Sequence, residues 1–308
     1  MDDLAVFGFK CIDVAFKRTQ NSVKYKNVTI EKDIPYSNVA DCCKADLHYD
    51  LTKKPEGKWP VMVNIHGGGF VAGDKKYRVS LCGFFADKGF FVVNANYGLG
   101  PEFTYKDYIS HLGLLMNWLG DNGDKYNLDL TNVSVTGDSA GGHATASIGV
   151  LYSNPIFREK FGVKDFSDKL TITHLLPVCG LYDVPKALGK KFPFNAGKLL
   201  CQDLTGMTLS DDMKELPEYE FYNECSPINY VTKDYPETYL VQVKDDMFCD
   251  GQGDAFYEKL QELNVPCRLF TASNKGDMHC FHLSWKRESS KIYCKLMDEY
   301  IKSDIIKK

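Results

Sequence analysis

A serine flanked by glycines is the first group in this sequence whose type and spacing could do chemistry. Residues 137–142 read Gly-Asp-Ser-Ala-Gly-Gly and directly follow the apolar stretch 133–136. Glycines two positions before and after Ser139 permit a tight strand-to-helix turn in which a Cβ atom would clash. Such a turn projects the Ser139 hydroxyl above a sheet, where the following helix N-terminus favours developing negative charge. The pattern predicts a nucleophile, and the alternative is a glycine-rich turn with an N-capping serine.

Three consecutive glycines form a second candidate element, at the end of the apolar stretch 61–65. The segment reads His-Gly-Gly-Gly-Phe over residues 66–70. Acyl transfer requires hydrogen-bond donors aimed at the carbonyl oxygen that becomes an oxyanion, and glycines let backbone N–H groups approach closely. We expect the donors to be the N–H groups of Gly68 and Gly69, joined by that of Ala140, the residue after the nucleophile.

The same glycines also fit a dinucleotide-binding fingerprint, Gly67-x-Gly69-x-x-Ala72, followed downstream by Asp87. In that fingerprint the acidic residue ends the next strand. Asp87 instead precedes the next predicted strand, and Asn94 lies near that strand's end. The sequence therefore favours an oxyanion loop over a nucleotide site.

A general base is expected in the loop after the last strand, because the chain order serine, acid, histidine is typical of this chemistry on a parallel sheet. Of the seven histidines, His279 and His282 follow the last predicted strand. His279 lies in the loop and is the better candidate, whereas His282 begins the next helix and is interpreted as a solvated or capping residue. An alternative takes His279, Cys280 and His282 as metal ligands, although the sequence shows no matching ligands elsewhere.

Three carboxylates follow the predicted strand 239–243 and offer the group that would orient the histidine. They are Asp245, Asp246 and Asp250. A strand-end loop would place one of them against the histidine ring, where it fixes the tautomer and stabilises the imidazolium. The residues alone do not separate Asp245 from Asp246, while Asp250 is expected to cap a helix that begins near residue 251.

The elements that must position these residues alternate between apolar stretches and amphipathic segments. Continuous apolar strands separated by helices are typical of a parallel sheet covered on both faces. The predicted strands are 61–65, 90–95, 133–135, 172–178, 239–243 and 267–271, and the predicted helices are 75–88, 105–122, 141–153, 252–263 and 281–302.

The N-terminal residues and one long connection stand outside this alternation. A first helix would have one face formed by Leu4, Phe7, Cys11, Val14 and Ala15. Short alternating stretches at 23–25 and 45–49 are predicted strands. Residues 181–235 separate two strands and are interpreted as an insertion over one end of the sheet, of the kind that forms a lid or binding loop.

This insertion mixes aromatic with charged side chains. The residues concerned are Phe192, Phe194, Tyr219 and Tyr222, interleaved with Lys190, Lys191, Asp211, Asp212, Glu215 and Glu218. Either the aromatic rings close over a small soluble ester, or they anchor the insertion to the core.

Composition and charge exclude several classes of protein. The 37 basic and 41 acidic side chains give a net charge of −4 and are scattered, so nucleic acid is not an expected partner. No apolar stretch is long enough for a membrane span.

Eleven cysteines cannot all pair, and the acidic start lacks the basic residues of a signal peptide, so a cytoplasmic location is expected. No cofactor or metal is expected, and the oligomeric state is not predicted.

The blocks together resemble α/β-hydrolase esterases, most of all those of the hormone-sensitive-lipase-like family. That family has H-G-G-G-[FW], G-D-S-A-G-G, D-x-[LF]-x-D and H-x-F in this order, and the sequence matches at residues 66–70, 137–142, 246–250 and 279–281. The resemblance implies Ser139 as nucleophile, His279 as base, Asp246 as orienting acid, and Gly68, Gly69 and Ala140 as oxyanion donors. Met247 departs from the proline usual in the family, and the N-terminal segment is partly strand-like where the family often has a helical cap.

We therefore predict one α/β-hydrolase domain over residues 1–308, with a predominantly parallel central sheet, helices on both faces and a small candidate cap. The cap would consist of residues 1–45 and 181–235. The predicted activity is that of a serine carboxylesterase acting on short-chain acyl esters of small molecules.

Two alternatives remain open. The glycine loop and short lid are also similar to bacterial esterases that remove acetyl or feruloyl groups from plant polysaccharides, which here implies a carbohydrate acyl esterase acting on oligosaccharides. A non-catalytic receptor on the same fold would bind a small molecule under the cap. Every catalytic position is filled, which favours an enzyme, although fold alone does not decide function.

Overall fold

A central sheet organises the part of the chain that the structure describes. The computed structural model describes residues 4–189 and 195–306. The strands are β1 (Val28–Pro35), β2 (Lys44–Asp50), β3 (Trp59–Ile65), β4 (Phe91–Ala95), β5 (Leu128–Asp138), β6 (Ile172–Val178), β7 (Glu237–Val243) and β8 (Cys267–Ala272). They form an eight-stranded sheet in the order β1-β2-β4-β3-β5-β6-β7-β8. Strands β3 to β8 run parallel, whereas β2 pairs antiparallel with β1 and β4.

Helices cover both faces of this sheet. They are α1 (Leu4–Gln20), α2 (Val79–Asp87), α3 (Tyr105–Asn122), α4 (Ala140–Ser153), α5 (Pro155–Lys160), α6 (Val184–Leu188), α7 (Ala196–Thr205), α8 (Gln252–Glu262) and α9 (Glu288–Tyr300). Successive side chains of a strand point to opposite faces, so each strand contributes to two layers. In β3, for example, Val61 and Val63 join an apolar cluster with α3, α4 and α8, while Met62 joins a second cluster with α2 and α9. The predicted α/β architecture with helices on both faces is confirmed.

All six predicted strands of the parallel sheet are present, and so is the predicted strand at 45–49. The strand predicted at 23–25 is wrong, since the first strand begins at Val28. Its alternating pattern has another cause, because the Tyr25 ring packs against Gly83 of α2. The Val23 carbonyl accepts a hydrogen bond from the Ser80 hydroxyl at 2.5 Å. This segment therefore satisfies its backbone on α2 rather than on a neighbouring strand.

Two predicted helices are interrupted. The segment 75–88 begins with a 3₁₀ turn, Lys75–Tyr77, before α2, and the segment 281–302 begins with a 3₁₀ turn, Phe281–Leu283, before α9. In the second case the Ser290 hydroxyl donates to the carbonyl oxygens of Phe281 at 2.6 Å and Ser284 at 2.8 Å. In a continuous helix these carbonyls would accept backbone N–H groups, but here they accept the Ser290 hydroxyl. The histidine loop and α9 are therefore separate elements.

The predicted N-terminal helix is present, but the face inferred for it does not lie against the protein. Phe7 and Val14 are 65% and 70% exposed. Phe9 and Val6 make the contacts with the core instead. Helix α1 lies against α7, so the two segments predicted to form the candidate cap contact each other.

Candidate active site

Ser139 lies at the turn between β5 and α4, in a conformation that is rare for a residue with a side chain. Its backbone φ is 56° and its ψ is −119°. Holding a non-glycine residue in such a region costs about 1–3 kcal/mol. The surroundings impose it, because the Ser139 N–H donates to the Val178 carbonyl of β6 at 2.9 Å. A Cβ atom on Gly137 would stand 2.3 Å from the Gly141 oxygen, which confirms that this turn requires glycine.

The N-capping alternative for Ser139 is not supported. The residue stands at the N-cap position of α4, but its side chain makes no capping hydrogen bond. Among the described residues, none forms a hydrogen bond with its hydroxyl. Ser139 is 9% exposed, so only a small part of the residue reaches solvent. In enzymes, the hydrogen bond between a nucleophile and its base is often formed only when substrate is bound.

The three-glycine loop after β3 lies directly beside Ser139. A Cβ atom on Gly67 would stand 3.0 Å from the Ser139 Cβ atom and 2.4 Å from the backbone carbonyl oxygen of Asp138. Gly68 and Gly69 have φ angles of 142° and 63°, which favour glycine. Within the described part of the chain, the N–H groups of Gly68, Gly69 and Ala140 donate to no other backbone or side-chain group. They are therefore available as donors to a ligand.

Asp246 and His279 contact each other directly across the ends of β7 and β8. The His279 Nδ1 atom lies 2.8 Å and 3.0 Å from the two Asp246 carboxylate oxygens. Asp246 is 4% exposed and accepts two further hydrogen bonds, from the N–H groups of Phe248 at 2.9 Å and Cys249 at 3.1 Å. This arrangement holds the ring so that its Nδ1 faces the carboxylate.

Each member of this pair shifts the pKa of the other. Burial raises the pKa of Asp246, but the hydrogen bond and charge of His279 outweigh it and keep that pKa below its ordinary value. Burial lowers the pKa of His279, but contacts with Cys249 and Asp246 raise it well above its ordinary value. The geometry therefore stabilises a positively charged imidazole.

The structure separates the carboxylates that the residues alone left open. Asp245 and Asp250 are exposed, whereas Asp246 is buried against the histidine. The prediction that Asp250 caps the next helix is wrong, because Gly251 occupies the N-cap position of α8. Gly251 has a φ of 74° at this position. Asp250 lies one residue before the N-cap position.

His282 does not occupy the solvated or capping position predicted for it. It is completely buried and packs against Phe281 and Tyr293. Burial lowers its pKa to about 4. Nor does it join His279 and Cys280 in a ligand cluster. The clusters found among the described residues are Cys179 with Asp246 and His279, and Cys42 with Cys43 and His111.

The structural context of a dinucleotide fingerprint is missing. The glycine loop continues through turns into the 3₁₀ turn Lys75–Tyr77 rather than directly into an α-helix. Asp87 ends α2, ahead of β4, and Asn94 in β4 accepts a hydrogen bond from Asn64 at 2.8 Å. The dinucleotide alternative is therefore not supported, and the oxyanion loop stays a prediction.

A buried ion pair behind the serine was not anticipated from the sequence. The Arg78 Nε and Nη2 atoms donate to the two oxygens of Asp138 at 2.6 Å each, and both side chains are almost fully buried. Burial raises the pKa of Asp138, but Arg78 outweighs it and lowers that pKa to about 2. Asp138 belongs to the serine motif, but its partner is 60 positions away in a segment with no motif, so the sequence offered no signal.

This ion pair contacts three of the loops around the serine. Asp138 directly precedes Ser139, and its Oδ2 atom would lie 2.5 Å from a Cβ on Gly67. The Cys280 thiol, next to His279, lies 3.7 Å from the same oxygen. Arg78 also donates from Nη1 to the Gln20 side chain at the end of α1, at 3.0 Å. The pair therefore joins the glycine loop, the serine turn, the histidine loop and the first helix.

Two aromatic rings lie beside the site, Phe9 on α1 and Phe248 in the loop after β7. A Cβ on Gly69 would lie 2.7 Å from the Phe9 ring, so this ring touches the glycine loop. Phe9 and Phe248 have ring centroids 6.3 Å apart, and Phe248 stands edge-on to His279 at 5.0 Å. Helix α1 thus contacts the glycine loop directly and lies beside Phe248, which contacts His279.

The insertion 181–235 is anchored to the core by some of its aromatic residues. Phe221 is buried and stacks on Phe161 with ring centroids 4.8 Å apart, and Tyr219 contacts Phe221. An apolar cavity of about 10 Å³ beneath that part of it is lined in part by Tyr219 and Tyr222. The predicted residues Lys190, Lys191, Phe192 and Phe194 lie outside the described residues.

An open, mostly parallel sheet that carries a strained serine turn after β5 is the architecture of α/β-hydrolases, the class to which this protein belongs. Within that class, the chain belongs to the BD-FAE family, whose model matches residues 46–260. The resemblance to α/β-hydrolase esterases inferred from the sequence is confirmed at this level.

Known proteins similar to this chain carry ester-hydrolase names. It is 23% identical over 246 residues to a probable carboxylic ester hydrolase, LipM, of Mycobacterium tuberculosis, covering 78% of this chain and 54% of LipM. It is 21% identical over 259 residues to an acetyl esterase of Salmonella typhi, covering 81% of this chain and 75% of that protein. The solved structure of Esterase B from Lactobacillus rhamnosis has a TM-score of 0.81 at 20% identity, covering 96% of this chain and 92% of that chain.

The chain spans about half the length of LipM. The similarity to the structure of Esterase B, at 20% sequence identity, shows that the two chains share a fold and shows nothing further. Among the described residues, no helix combines the length and the apolar character needed to cross a membrane.

Replacing Arg78 by methionine removes the cation but leaves the Asp138 carboxylate buried. We expect Arg78→Met to lower the free energy of unfolding by about 3–5 kcal/mol, measured by denaturant titration, because an unpaired buried charge remains. The double variant Arg78→Met/Asp138→Asn should recover part of this loss. Lys58→Met is the control, since it removes an exposed ion pair with Asp124 and should change stability little. Equal losses in the two single variants would contradict the importance of the buried pair.

Proposed function

We propose that this protein is a serine carboxylesterase that hydrolyses short-chain acyl esters through an acyl-enzyme intermediate. The observation that carries the proposal is the contact of buried Asp246 with His279 at the same sheet edge as Ser139. This edge is formed by the carboxyl ends of parallel strands, where ligands bind in open α/β sheets. The names of the relatives support an ester as substrate.

In the proposed reaction, Ser139 attacks the ester carbonyl while His279 Nε2 takes its proton. Asp246 holds His279 Nδ1 and stabilises the imidazolium that forms. The N–H groups of Gly68, Gly69 and Ala140 donate to the oxyanion of the tetrahedral intermediate. The alcohol leaves with the proton from His279, and water activated by the same ring then releases the acid.

Short acyl chains are favoured by the cover over the site. Ser139 is only 9% exposed, and Phe9 contacts the glycine loop above it. The acetyl esterase among the relatives acts, by its name, on a short acyl group.

A carbohydrate acyl esterase is the second candidate, favoured by the membership of the BD-FAE family. The same serine chemistry would then remove acetyl or feruloyl groups from oligosaccharides. The exposed acidic residues Asp211, Asp212 and Glu218 of the insertion provide hydrogen-bond acceptors for sugar hydroxyls. The two candidates share their mechanism and differ in the alcohol part of the substrate.

Ser139→Ala tests the proposed nucleophile. We expect hydrolysis of p-nitrophenyl acetate to fall by roughly 10⁴-fold or more, because no other group can form the acyl-enzyme. Thermal unfolding should remain near that of the parent, since the hydroxyl makes no hydrogen bond within the described residues. Ser153→Ala, at the far end of α4, is the matched control and should retain activity. Residual turnover within about tenfold of the parent would reject Ser139 as nucleophile.

Asp246→Asn tests the orienting acid. An amide keeps the shape of the side chain but favours the wrong histidine tautomer, so kcat should fall by roughly 10³–10⁴-fold. Asp245→Asn and Asp250→Asn are matched controls on exposed carboxylates of the same loop, and both should stay close to the parent. If Asp245→Asn proved the most damaging of the three, the assignment of Asp246 would be wrong.

An acyl-chain series tests the substrate class. We expect kcat/KM on p-nitrophenyl esters to be highest between acetate and butyrate and far lower for decanoate, because the cover leaves little space. Acetylated and feruloylated oligosaccharides, assayed beside these esters, separate the two candidate functions. A maximum at decanoate, with activation above its solubility limit, would contradict the short-chain proposal and indicate a lipase.

A further inference from the structure

A thiol lies beside the histidine–carboxylate pair and has no part in the proposed ester chemistry. Ligand atoms of Cys179, Asp246 and His279 all lie within 4.8 Å of one another. Cys179 directly follows β6, and its side chain is almost fully buried. Cys179 belongs to no sequence motif, so the sequence alone gives no signal for it.

The backbone around Cys179 fixes its thiol in this place. Its φ is 48°, and its N–H donates to the Val241 carbonyl of β7 at 2.7 Å. Its own carbonyl accepts a hydrogen bond from the Cys249 thiol at 3.0 Å. Cys179 is therefore held from both sides between the serine turn and the loop that carries Asp246.

Thiolate, imidazole and carboxylate are the side-chain ligands that Zn²⁺ prefers, and the first two also suit the softer Cd²⁺. Usual zinc–ligand bond lengths in a tetrahedral site separate nitrogen from oxygen by about 3.4 Å and sulfur from nitrogen by about 3.6 Å. The Asp246 Oδ2 atom lies 2.8 Å from His279 Nδ1. The Cys179 sulfur lies within 4.8 Å of an Asp246 carboxylate oxygen and of a His279 ring nitrogen. Changes of at most about 1.2 Å in these separations would convert this cluster into a three-ligand site with one position left for water.

We propose that Cys179, Asp246 and His279 form a binding site for Zn²⁺ or Cd²⁺, and that its occupation reversibly inhibits the enzyme. The inference rests on the proposed function for the inhibition, but the metal site itself does not. In binding, the Cys179 thiol loses its proton to solvent and the sulfur bonds to the metal. The metal bonds to Nδ1 and to the Asp246 oxygen in place of the hydrogen bond that joined them.

Inhibition follows from the single proton of neutral imidazole. With the metal on Nδ1, that proton resides on Nε2, the atom that must accept the proton of Ser139. The ring then has no lone pair for the serine. A metal ion at this site therefore blocks the base without touching the nucleophile or the oxyanion donors.

The second thiol cluster, Cys42 with Cys43 and His111, is a poorer site and serves as a control. The Gly98 N–H donates to His111 Nδ1 at 3.0 Å, which places the ring proton on Nε2. A metal bound at Nε2 would move the proton to Nδ1, where it would face the Gly98 N–H. This cluster therefore offers cysteine thiols, but its imidazole would lose the hydrogen bond from Gly98 if it bound a metal.

Direct binding is measured with Cd²⁺ on the inactive Ser139→Ala protein, which makes this readout independent of catalysis. A Cys43→Ser background removes the control cluster. We expect the ultraviolet absorption of a cadmium–thiolate bond to saturate at one equivalent and to be competed away by Zn²⁺. Adding Cys179→Ser should abolish it. A band that survives Cys179→Ser would overturn the site.

Inhibition is measured on the active protein with Zn²⁺ and then with EDTA. We expect Zn²⁺ to abolish ester hydrolysis, EDTA to restore it, and EDTA alone to leave activity unchanged. Relative to its own metal-free rate, Cys179→Ser should need roughly 100-fold more Zn²⁺ for half inhibition, because a ligand is lost. Cys43→Ser should be inhibited as the parent is. Equal sensitivity of Cys179→Ser and Cys43→Ser would overturn the inference.

A third measurement needs no cysteine variant. The proton between Asp246 and His279 Nδ1 should give a strongly downfield proton resonance in the metal-free parent, and Zn²⁺ should remove it. Persistence of that resonance under inhibiting Zn²⁺ would contradict metal binding at Nδ1. Failure of the proposed function is distinguished separately, since it would appear as undiminished hydrolysis by Ser139→Ala without any metal.

Discussion

Asp138 and Arg78 form an ion pair directly behind the serine turn, and the site's loops are arranged around it. A buried carboxylate is tolerated only with a well-placed partner, and here the guanidinium supplies two hydrogen bonds of 2.6 Å. The three loops that contact Asp138 come from β3, β5 and β8, which are distant in sequence. Because the carboxylate has one position, these loops have fixed positions relative to one another.

The conformation of the serine turn depends on close contacts between backbone atoms as well as on the buried ion pair. Positive φ at Ser139 is maintained because β6 holds its N–H and because Gly137 and Gly141 approach each other without Cβ atoms. Gly141 itself lies against the end of β3, where a Cβ would stand 2.0 Å from the Ile65 oxygen. The strain is therefore held by the sheet and the first turn of α4, both rigid elements, which keeps the hydroxyl oriented before any ligand arrives.

The sequence predicted what depends on local pattern. Parallel strands were visible as continuous apolar stretches, and the serine turn and glycine loop were visible because their backbone geometry requires glycine. The pairing of Asp246 rather than Asp245 with His279 needed tertiary structure, since adjacent residues differ only in which way the loop turns them. Arg78, Cys179 and the burial of His282 were not predictable, because each depends on contacts between segments far apart in the chain.

The face of α1 was misjudged for a related reason. A helix of this length with apolar residues on several sides has no single face that periodicity selects, and the contact was decided by Phe9 fitting against a glycine. Phe7 and Val14 were left in solvent as a result. Local pattern established that a helix forms and could not establish which side it buries.

Helix α1 lies outside the segment that defines the family, which begins at residue 46. It nevertheless touches the glycine loop through Phe9 and reaches the ion pair behind the serine through Gln20. Of the proposed catalytic residues, Ser139 and Asp246 lie inside that segment, whereas His279 and helix α1 lie outside it. Substitutions of Phe9 would change the surface beside the glycine loop, and substitutions of Gln20 would reach the ion pair, both from a region that the family model does not sample.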